Sequence, residues 1–270
     1  MADLLQALQA AQRPGAAEQA LRAQPSLRVL VVGGGGPLGS AVLEAMLAQA
    51  GGATVGVAVH QQITPGLRGL HAVLHNAPGL LAFAPRAAVL VFDRVRHANG
   101  RDDAFVRPQP ADVLALAKVL YAVGVRQLVI AVPHTPALLP QALLHGLANL
   151  DEAAVAALGF DHLVFMRMAR DGQAQGSETA ASAWPQRLAD WVLRQLRLMV
   201  PVSEQPVRVA VVAEVLASLV YQLPGAAPAS RVLPPALLWH AAQGGQVSGL
   251  LSDWLAGKPL PASANPHMRM

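Results

Sequence analysis

The strongest constraint on the fold is a run of glycines between a short apolar segment and an amphipathic one. Residues Leu27 to Val32 read LRVLVV, and Gly33 to Gly36 follow directly. From Pro37 to Ala50, apolar residues recur at the spacing of one helix face. A short run with so few polar residues is typical of a parallel strand that is buried on both faces. This part of the sequence therefore predicts a strand, a tight turn and a helix.

The glycine spacing indicates what the turn can bind. Gly33, Gly36 and Gly39 form a G-x-x-G-x-x-G pattern, and so tight a turn needs backbone angles that a Cβ atom disfavours. A diphosphate can then approach the backbone and the free N–H groups at the start of the helix. The pattern predicts a binding loop for a dinucleotide such as NAD(P), with a plain strand–helix turn as the alternative. The residues predicted to hold the cofactor here are Gly33, Gly35, Gly36, Pro37, Leu38 and Gly39.

Strand and helix patterns alternate over residues 27 to about 167. Such alternation predicts βαβ units and a parallel sheet with helices on both faces. We therefore expect an α/β protein of Rossmann type, a doubly wound parallel sheet with a small, mostly helical C-terminal lobe. Further strands are predicted over Thr54 to Val59, Ala87 to Phe92, Gln127 to Val132 and His162 to Met166, and further helices over Ala111 to Val123 and Ala142 to Leu158.

The predicted organisation has three parts that form a single structural unit. A helical N-terminal extension covers residues 1–25, the dinucleotide-binding domain covers 26–170, and a C-terminal lobe of residues 171–270 packs on that domain. In the lobe, helices are predicted over Trp184 to Leu198 and Val207 to Leu223, with a loop over Pro224 to Ser230.

Composition narrows the classes of partner and location. A formal net charge of +4 comes from scattered arginines, so we expect a weakly basic surface and no nucleic-acid partner. The chain has no cysteine, which excludes disulfides and thiol catalysis. No charge-free apolar stretch is long enough to span a membrane, and the first residues lack the basic start of a secretory signal. The sequence therefore predicts a cytoplasmic protein that does not contact membranes.

Two positions bear on which dinucleotide is bound. The second predicted strand ends at His60, without the acid that binds the adenosine ribose in many NAD-binding folds. His60, or Arg68 further on, could meet a 2′-phosphate, which favours NADP over NAD; a solvated loop residue is the alternative for His60. Asp93 opens a polar stretch, Asp93 to Pro110, that is predicted as a loop after the strand Ala87 to Phe92. Asp93 or Asn99 could hydrogen-bond the cofactor, and a solvated face that also trims the pocket is the alternative for this loop.

Three segments of the chain resemble the short-chain dehydrogenase/reductase superfamily, in its extended or atypical branch of NmrA-like and epimerase-like proteins. The resemblance covers about residues 27 to 220 and implies a Rossmann fold, a bound NAD(P) and oxidoreductase chemistry. The family works through a Tyr-x-x-x-Lys pair and a Ser or Thr at the end of a central strand. The matching segments are VVGGGGPLGSAVLEAML (Val31 to Leu47), LAKVLYAVGVRQLVIAV (Leu116 to Val132) and LDEAAVAALGFDHLVFMR (Leu150 to Arg167).

The chain departs from this pattern at the catalytic positions. His145 and Asn149 stand where the family has Tyr and Lys, and His134 and Thr135 follow the strand where the Ser is expected. The chain has two tyrosines, and neither has a Lys four residues on. A tyrosine with an ordinary pKa near 10 is a poor base at neutral pH, and the family's Lys corrects that.

These departures leave three readings. In the first, the chain binds NAD(P) without chemistry, as a regulatory or assembly protein. In the second, it is an NAD(P)H-dependent oxidoreductase in which His145 donates the proton, with His134 and Thr135 as further catalytic candidates. In the third, the pocket holds another nucleotide. The predicted partners are a dinucleotide and either a small-molecule substrate or a protein, with a homodimer as a further option.

Two other groups of polar residues are given structural roles. His71 and His75 lie four residues apart and could share a helix face, but no third zinc ligand accompanies them, so no metal site is predicted. Asp151 and Glu152 are adjacent, so their side chains diverge on a helix. We interpret them as first-turn acids that the helix dipole favours.

Overall fold

The computed structural model describes residues 27–93, 102–134, 150–169 and 207–260. The predicted N-terminal extension and the helix predicted over Trp184 to Leu198 lie outside these residues, as do residues 142–149 of another predicted helix. Within the described ranges, no helix combines the length and the apolar character that a membrane crossing needs.

The described strands form one seven-stranded sheet in which all neighbouring pairs are parallel. Its order is β3-β2-β1-β4-β5-β6-β7, so the direction of strand addition reverses between β1 and β4. This order defines the Rossmann-type doubly wound fold, as the sequence predicts. The strands are β1 (Arg28–Val32), β2 (Thr54–Val59), β3 (Leu70–Leu74), β4 (Ala87–Val91), β5 (Gln127–His134), β6 (His162–Ala169) and β7 (Ala229–Leu233).

Seven α-helices in the described residues cover the two faces of the sheet. The first and the fifth pack together over one face, and the third and the fourth pack together over the other. Short 3-10 turns lie at Asp102–Ala104, Pro110–Asp112 and Leu223–Gly225. The helices are α1 (Gly36–Gln49), α2 (Ala77–Phe83), α3 (Val113–Ala122), α4 (Leu150–Ala156), α5 (Val209–Gln222), α6 (Pro235–Ala242) and α7 (Val247–Leu255).

β1 illustrates why a central strand lacks the usual alternation of polar and apolar residues. Val29 and Val31 belong to the core between the sheet and the α1–α5 layer, whereas Leu30 and Val32 belong to the core on the α3–α4 side. All four side chains are fully buried. Successive strand residues point to opposite faces, so a strand that is covered on both faces needs an apolar residue at every position.

The sequence patterns miss β3, α2 and β7. β3 is an edge strand, and only Val73 of its five residues is buried. A strand that is so little buried needs few apolar residues, so the sequence pattern that would predict it is weak. His71 and His75 do not share a helix face, because His71 lies within β3 and His75 directly follows it. α2 begins after Asn76, whose side chain accepts a hydrogen bond from the Gly79 N–H at 2.8 Å and caps the helix.

The described C-terminal residues are mostly helical and join the same sheet. β7 pairs with β6 from His162–Ala229 to Met166–Leu233, so two residues of the loop predicted over Pro224 to Ser230 belong to a strand. α5 packs on α1, and Tyr221 of α5 donates a hydrogen bond to the Met46 carbonyl oxygen at 2.9 Å. The predicted boundary between residues 170 and 171 stays a prediction.

Candidate functional site

The glycine loop adopts the conformation that its spacing predicts. Gly33 and Gly36 have φ angles of +98° and +86°, in the left-handed region that favours glycine. Gly39 of α1 packs so closely on the loop that a Cβ atom there would collide with the carbonyl oxygen of Gly33. The turn itself therefore requires these glycines, and the strand–turn–helix unit is confirmed.

The loop lies at the carboxyl edge of the sheet, where the strand order reverses. β1 is flanked by β2 on one side and by β4 on the other. In open α/β sheets, ligands bind in the crevice that opens at this point, outside the carboxyl ends of the strands. α1 begins at Gly36, and Gly35 before it makes no side-chain cap. The start of α1 thus presents backbone N–H groups to the crevice, as an anion-binding helix terminus does.

Asp93 occupies part of this helix terminus from within the chain. It lies two residues after β4, and its Oδ2 accepts a hydrogen bond from the Leu38 N–H at 2.6 Å. The same oxygen faces Gly36, where a Cβ atom would lie 2.7 Å from it. α1 has no acid in its own first turn. Asp93 therefore supplies, from 55 residues away, the negative charge that the start of a helix favours. Its predicted contact with a cofactor stays a prediction.

The connection between β4 and α3 returns to the sheet beside the glycine loop. We call residues 104–106 the crossing segment. The His60 N–H donates to the Ala104 carbonyl oxygen at 2.8 Å, and the Val106 N–H donates to the Ala58 carbonyl oxygen at 3.0 Å. Between these two bonds, Val59 and Phe105 form an antiparallel bridge. The crossing segment is thus a short extra strand on the end of β2.

The crossing segment fills the space between β2 and the glycine loop. One edge of β2 is paired with β3 as far as Val59. On the other edge, the pairing of β2 with β1 ends at Val31–Val57, so the last residues of β2 have no partner in β1. The segment therefore takes the edge that β1 leaves when it turns into the loop. A Cβ atom on Gly34 would lie 3.6 Å from the Phe105 ring. The chain's own atoms thus occupy the path from the start of α1 to the end of β2.

A cavity of about 370 Å³ lies next to the crossing segment, at the ends of β2 and β3. Burial lowers the pKa of His75, and the charge of the nearby His60 lowers it further, so the His75 imidazole is neutral at neutral pH. Its Nε2 is buried and has no hydrogen-bond partner among the described residues. Arg107 bonds to Asp103 at 2.8 Å in an exposed ion pair. The cavity is lined by His60, His75, Val106, Arg107, Pro108, Asp112, Ala115, Leu116 and Val119.

The part of the chain that the structure describes contains only one of the three predicted catalytic residues, His134. His145 and Thr135 lie outside that part, as does Asn99. His134 is the last residue of β5, paired in register with Ala169 of β6, which places its backbone at the carboxyl edge. The catalytic role of these residues therefore stays a prediction. His60 is exposed at the end of β2, the position that the sequence predicts for it.

Sequence reasoning misses the crossing segment and Arg107. Both lie in the stretch predicted as a polar loop from Asp93 to Pro110. One signal was available, since Ala104, Phe105 and Val106 form an apolar triplet within that polar stretch. Ala104 and Val106 are buried, and Phe105 packs on the α1 side of the core. An apolar triplet inside a long polar connection therefore indicates a return to the core.

The start of α4 carries a second carboxylate, bound in a different way. Glu152 lies in the first turn of α4, as the sequence predicts. Its Oε2 accepts a hydrogen bond from the Arg167 guanidinium of β6 at 3.0 Å, and the two side chains are 10% and 2% exposed. A buried pair of this kind fixes α4 on the sheet, because removing one partner leaves the other charge buried.

No protein-family model matches the sequence, and no curated protein matches it. Solved structures of NAD-dependent epimerases and dehydratases, the epimerase-like group that the sequence resembles, do align with the chain. The enzyme WbmG of Bordetella bronchiseptica in complex with NAD is 18% identical with a TM-score of 0.44, over 90% of this chain and 83% of that one.

Two further structures align at similar levels. A putative NAD-dependent epimerase/dehydratase from Bacillus halodurans is 13% identical with a TM-score of 0.45, over 80% of this chain and 99% of that one. UDP-glucose 4-epimerase from Brucella ovis in complex with NAD is 15% identical with a TM-score of 0.45, over 77% of this chain and 78% of that one. At these identities and scores, the fold assignment depends on the strand order of the chain itself.

Proposed function

We propose that this chain binds a nicotinamide dinucleotide in the crevice between the ends of β1, β2 and β4. The observation that carries the proposal is the glycine loop at the reversal of strand order, with positive φ angles at Gly33 and Gly36. A diphosphate at this point would meet backbone N–H groups and the positive end of the α1 dipole. The residues that would hold it are those of the loop and of the first turn of α1.

The cavity beside β2 suits the adenosine half of such a ligand. A dinucleotide whose diphosphate lies at the start of α1 extends its ribose toward the end of β2. Position 60 there is a histidine rather than an acid, and Arg107 lines the same cavity. A 2′-phosphate could replace the Asp103 carboxylate as the partner of Arg107, because guanidinium groups bind phosphate and carboxylate in similar geometry. We therefore favour NADP over NAD.

A regulatory or assembly role is the function that we favour, because both tyrosines of the chain are committed to structural contacts. The Tyr121 ring stacks edge-to-face on Phe160 with centroids 5.3 Å apart, and Arg126 lies over the same ring at 4.4 Å. Tyr221 bonds to Met46, and burial raises its pKa to about 12. Neither tyrosine lines the crevice, so the family's usual proton donor has no counterpart among them.

The competing function is an NAD(P)H-dependent oxidoreductase with non-standard acid and base groups. A bound nicotinamide supplies the hydride chemistry itself, so such an enzyme needs only a proton donor beside it. His145, with His134 and Thr135, stays the predicted donor group. Oxidation of NADPH in a screen of carbonyl substrates, lost in His145→Ala and retained in His71→Ala, would favour the oxidoreductase over the regulatory protein.

Calorimetric titration with NADH, NADPH, NAD and NADP tests the proposal. We expect micromolar binding by the unmodified chain. Gly36→Asp should weaken it by about a hundredfold or more, because the new carboxylate faces Asp93 and the ligand diphosphate. Gly52→Asp is the matched control, since Gly52 also has a positive φ angle and no atom lies near its Cβ position. No binding of any of the four dinucleotides would overturn the proposal.

A further inference from the structure

The start of α1 already holds an anion in the described structure. The Asp93 carboxylate accepts the Leu38 N–H at 2.6 Å and lies against Gly36. A phosphate oxygen that binds at a helix start uses N–H groups of the same first turn. One carboxylate oxygen and one phosphate oxygen cannot both take the short bond to Leu38. A ligand diphosphate therefore competes with Asp93 for the same donor.

The second part of the ligand path is also occupied. The crossing segment uses the backbone groups of Ala58 and His60 at the end of β2. Phe105 at its centre lies against Gly34, between the glycine loop and β2. A ribose that extends from the diphosphate to the end of β2 would have to enter this space. Both contacts belong to the connection that leaves β4, one at residue 93 and the other at residues 104–106.

We infer that the chain closes its own nucleotide crevice, with Asp93 standing in for a ligand phosphate and the crossing segment blocking the path of the ribose from the glycine loop to the cavity beside β2. This inference rests on the proposed function and names its regulation. The described state is the closed one, and nucleotide binding requires both contacts to be released. The apparent association constant for a dinucleotide is then that of the open crevice multiplied by the fraction of the protein in the open state.

Different interactions hold the two contacts of the closed state in place. Asp93 is held by one hydrogen bond and by the α1 dipole, and it also repels an approaching diphosphate by like charge. The crossing segment is held by two backbone hydrogen bonds and by the burial of Phe105. The first contact is sensitive to charge, and the second is sensitive to whether the segment can leave β2. Each can be tested by itself.

Asp93→Asn tests the charge. The amide oxygen can still accept the Leu38 N–H, so the turn is retained while the negative charge is removed. We expect this variant to bind NADPH about tenfold more tightly or better, since like charges a few ångströms apart repel strongly at a partly buried site. Asp161→Asn is the matched control, because Asp161 is an exposed acid beside the amino end of β6. Its affinity should equal that of the unmodified chain.

A disulfide between positions 59 and 105 tests the crossing segment. Val59 and Phe105 form a bridge without direct hydrogen bonds between them, and in such antiparallel pairs the Cα atoms lie about 4.5 Å apart, within the range of disulfides. The chain contains no other cysteine, so Val59→Cys with Phe105→Cys would give one defined crosslink. We expect the oxidised form to bind NADPH at least about tenfold more weakly than the reduced form of the same protein.

The outcomes separate this inference from the proposed function. Tighter binding by Asp93→Asn and weaker binding by the oxidised disulfide variant support the closed crevice. Equal or weaker binding by Asp93→Asn overturns it while the proposed function stands, and weaker binding would in addition restore Asp93 as a direct cofactor ligand. Equal affinity of the oxidised and reduced forms overturns the role of the crossing segment. No binding by any of these proteins overturns the proposed function and the inference together.

Discussion

The starts of α1 and α4 solve the same electrostatic problem in different ways. Each helix has a carboxylate near its first described turn. Glu152 belongs to α4 and is bonded to the buried Arg167. Asp93 lies outside α1, is only partly buried and is bonded to one backbone N–H. The first arrangement fixes a helix on the sheet, whereas the second leaves an anion that a ligand can replace.

Arg167→Met removes the buried ion pair at the start of α4 and should have the largest effect on stability. It removes the guanidinium that bonds to the buried Glu152 carboxylate, so the free energy of unfolding should fall by about 3 to 5 kcal/mol. Urea denaturation measures this. Arg107→Met, which breaks the exposed pair with Asp103, is the control and should cost less than about 1 kcal/mol. Equal losses in the two variants would contradict the distinction.

Asp93→Ala removes the carboxylate at the start of α1. It removes the group that accepts the Leu38 N–H and the charge at the α1 dipole, so the free energy of unfolding should fall by about 1 kcal/mol. Asp93→Asn keeps an acceptor and should lose less. The same denaturation series measures both variants. A loss as large as that of Arg167→Met would show that Asp93 is as firmly built in as Glu152.

Tyr221→Phe tests how much the hydrogen bond to Met46, near the carboxyl end of α1, contributes to stability. The variant loses a partly buried hydrogen bond to Met46, which is worth about 1 kcal/mol or less. The folded-state pKa of Tyr221, about 12, lies above its ordinary value of 10.0, so the folded state holds the proton more tightly. The stabilisation is therefore complete below pH 10 and is lost as the pH rises toward 12. Unfolding curves of the unmodified chain should show this loss relative to Tyr221→Phe.

His75 should give the smallest effect, at the cavity beside the crevice. Its pKa is lowered, first by burial and then by the charge of His60, so the folded state binds its proton less readily than the unfolded state. Stability should therefore fall as the pH drops below about 6.5. Comparison with His75→Gln isolates this contribution in denaturation curves. His71→Gln, at an exposed position of β3, should keep the pH dependence of the unmodified chain.

The central strands and the glycine loop could be predicted because their signals are local. β1 begins one residue after the predicted start, and β2 has the predicted bounds. Burial on both faces produces apolar runs, and the positive φ angles at Gly33 and Gly36 demand glycine at those positions. β3 escaped prediction because an edge strand is only partly buried and needs few apolar residues.

The sequence by itself determined the strand–loop–helix unit, the alternation that gives a parallel sheet and the absence of a Tyr-x-x-x-Lys pair. The tertiary structure alone decided that Asp93 reaches Leu38, that Phe105 lies against Gly34 and that Glu152 reaches Arg167. The reason is physical. Local backbone preferences are encoded by neighbouring residues, whereas contacts between distant residues depend on how strand register and helix packing bring separate elements together.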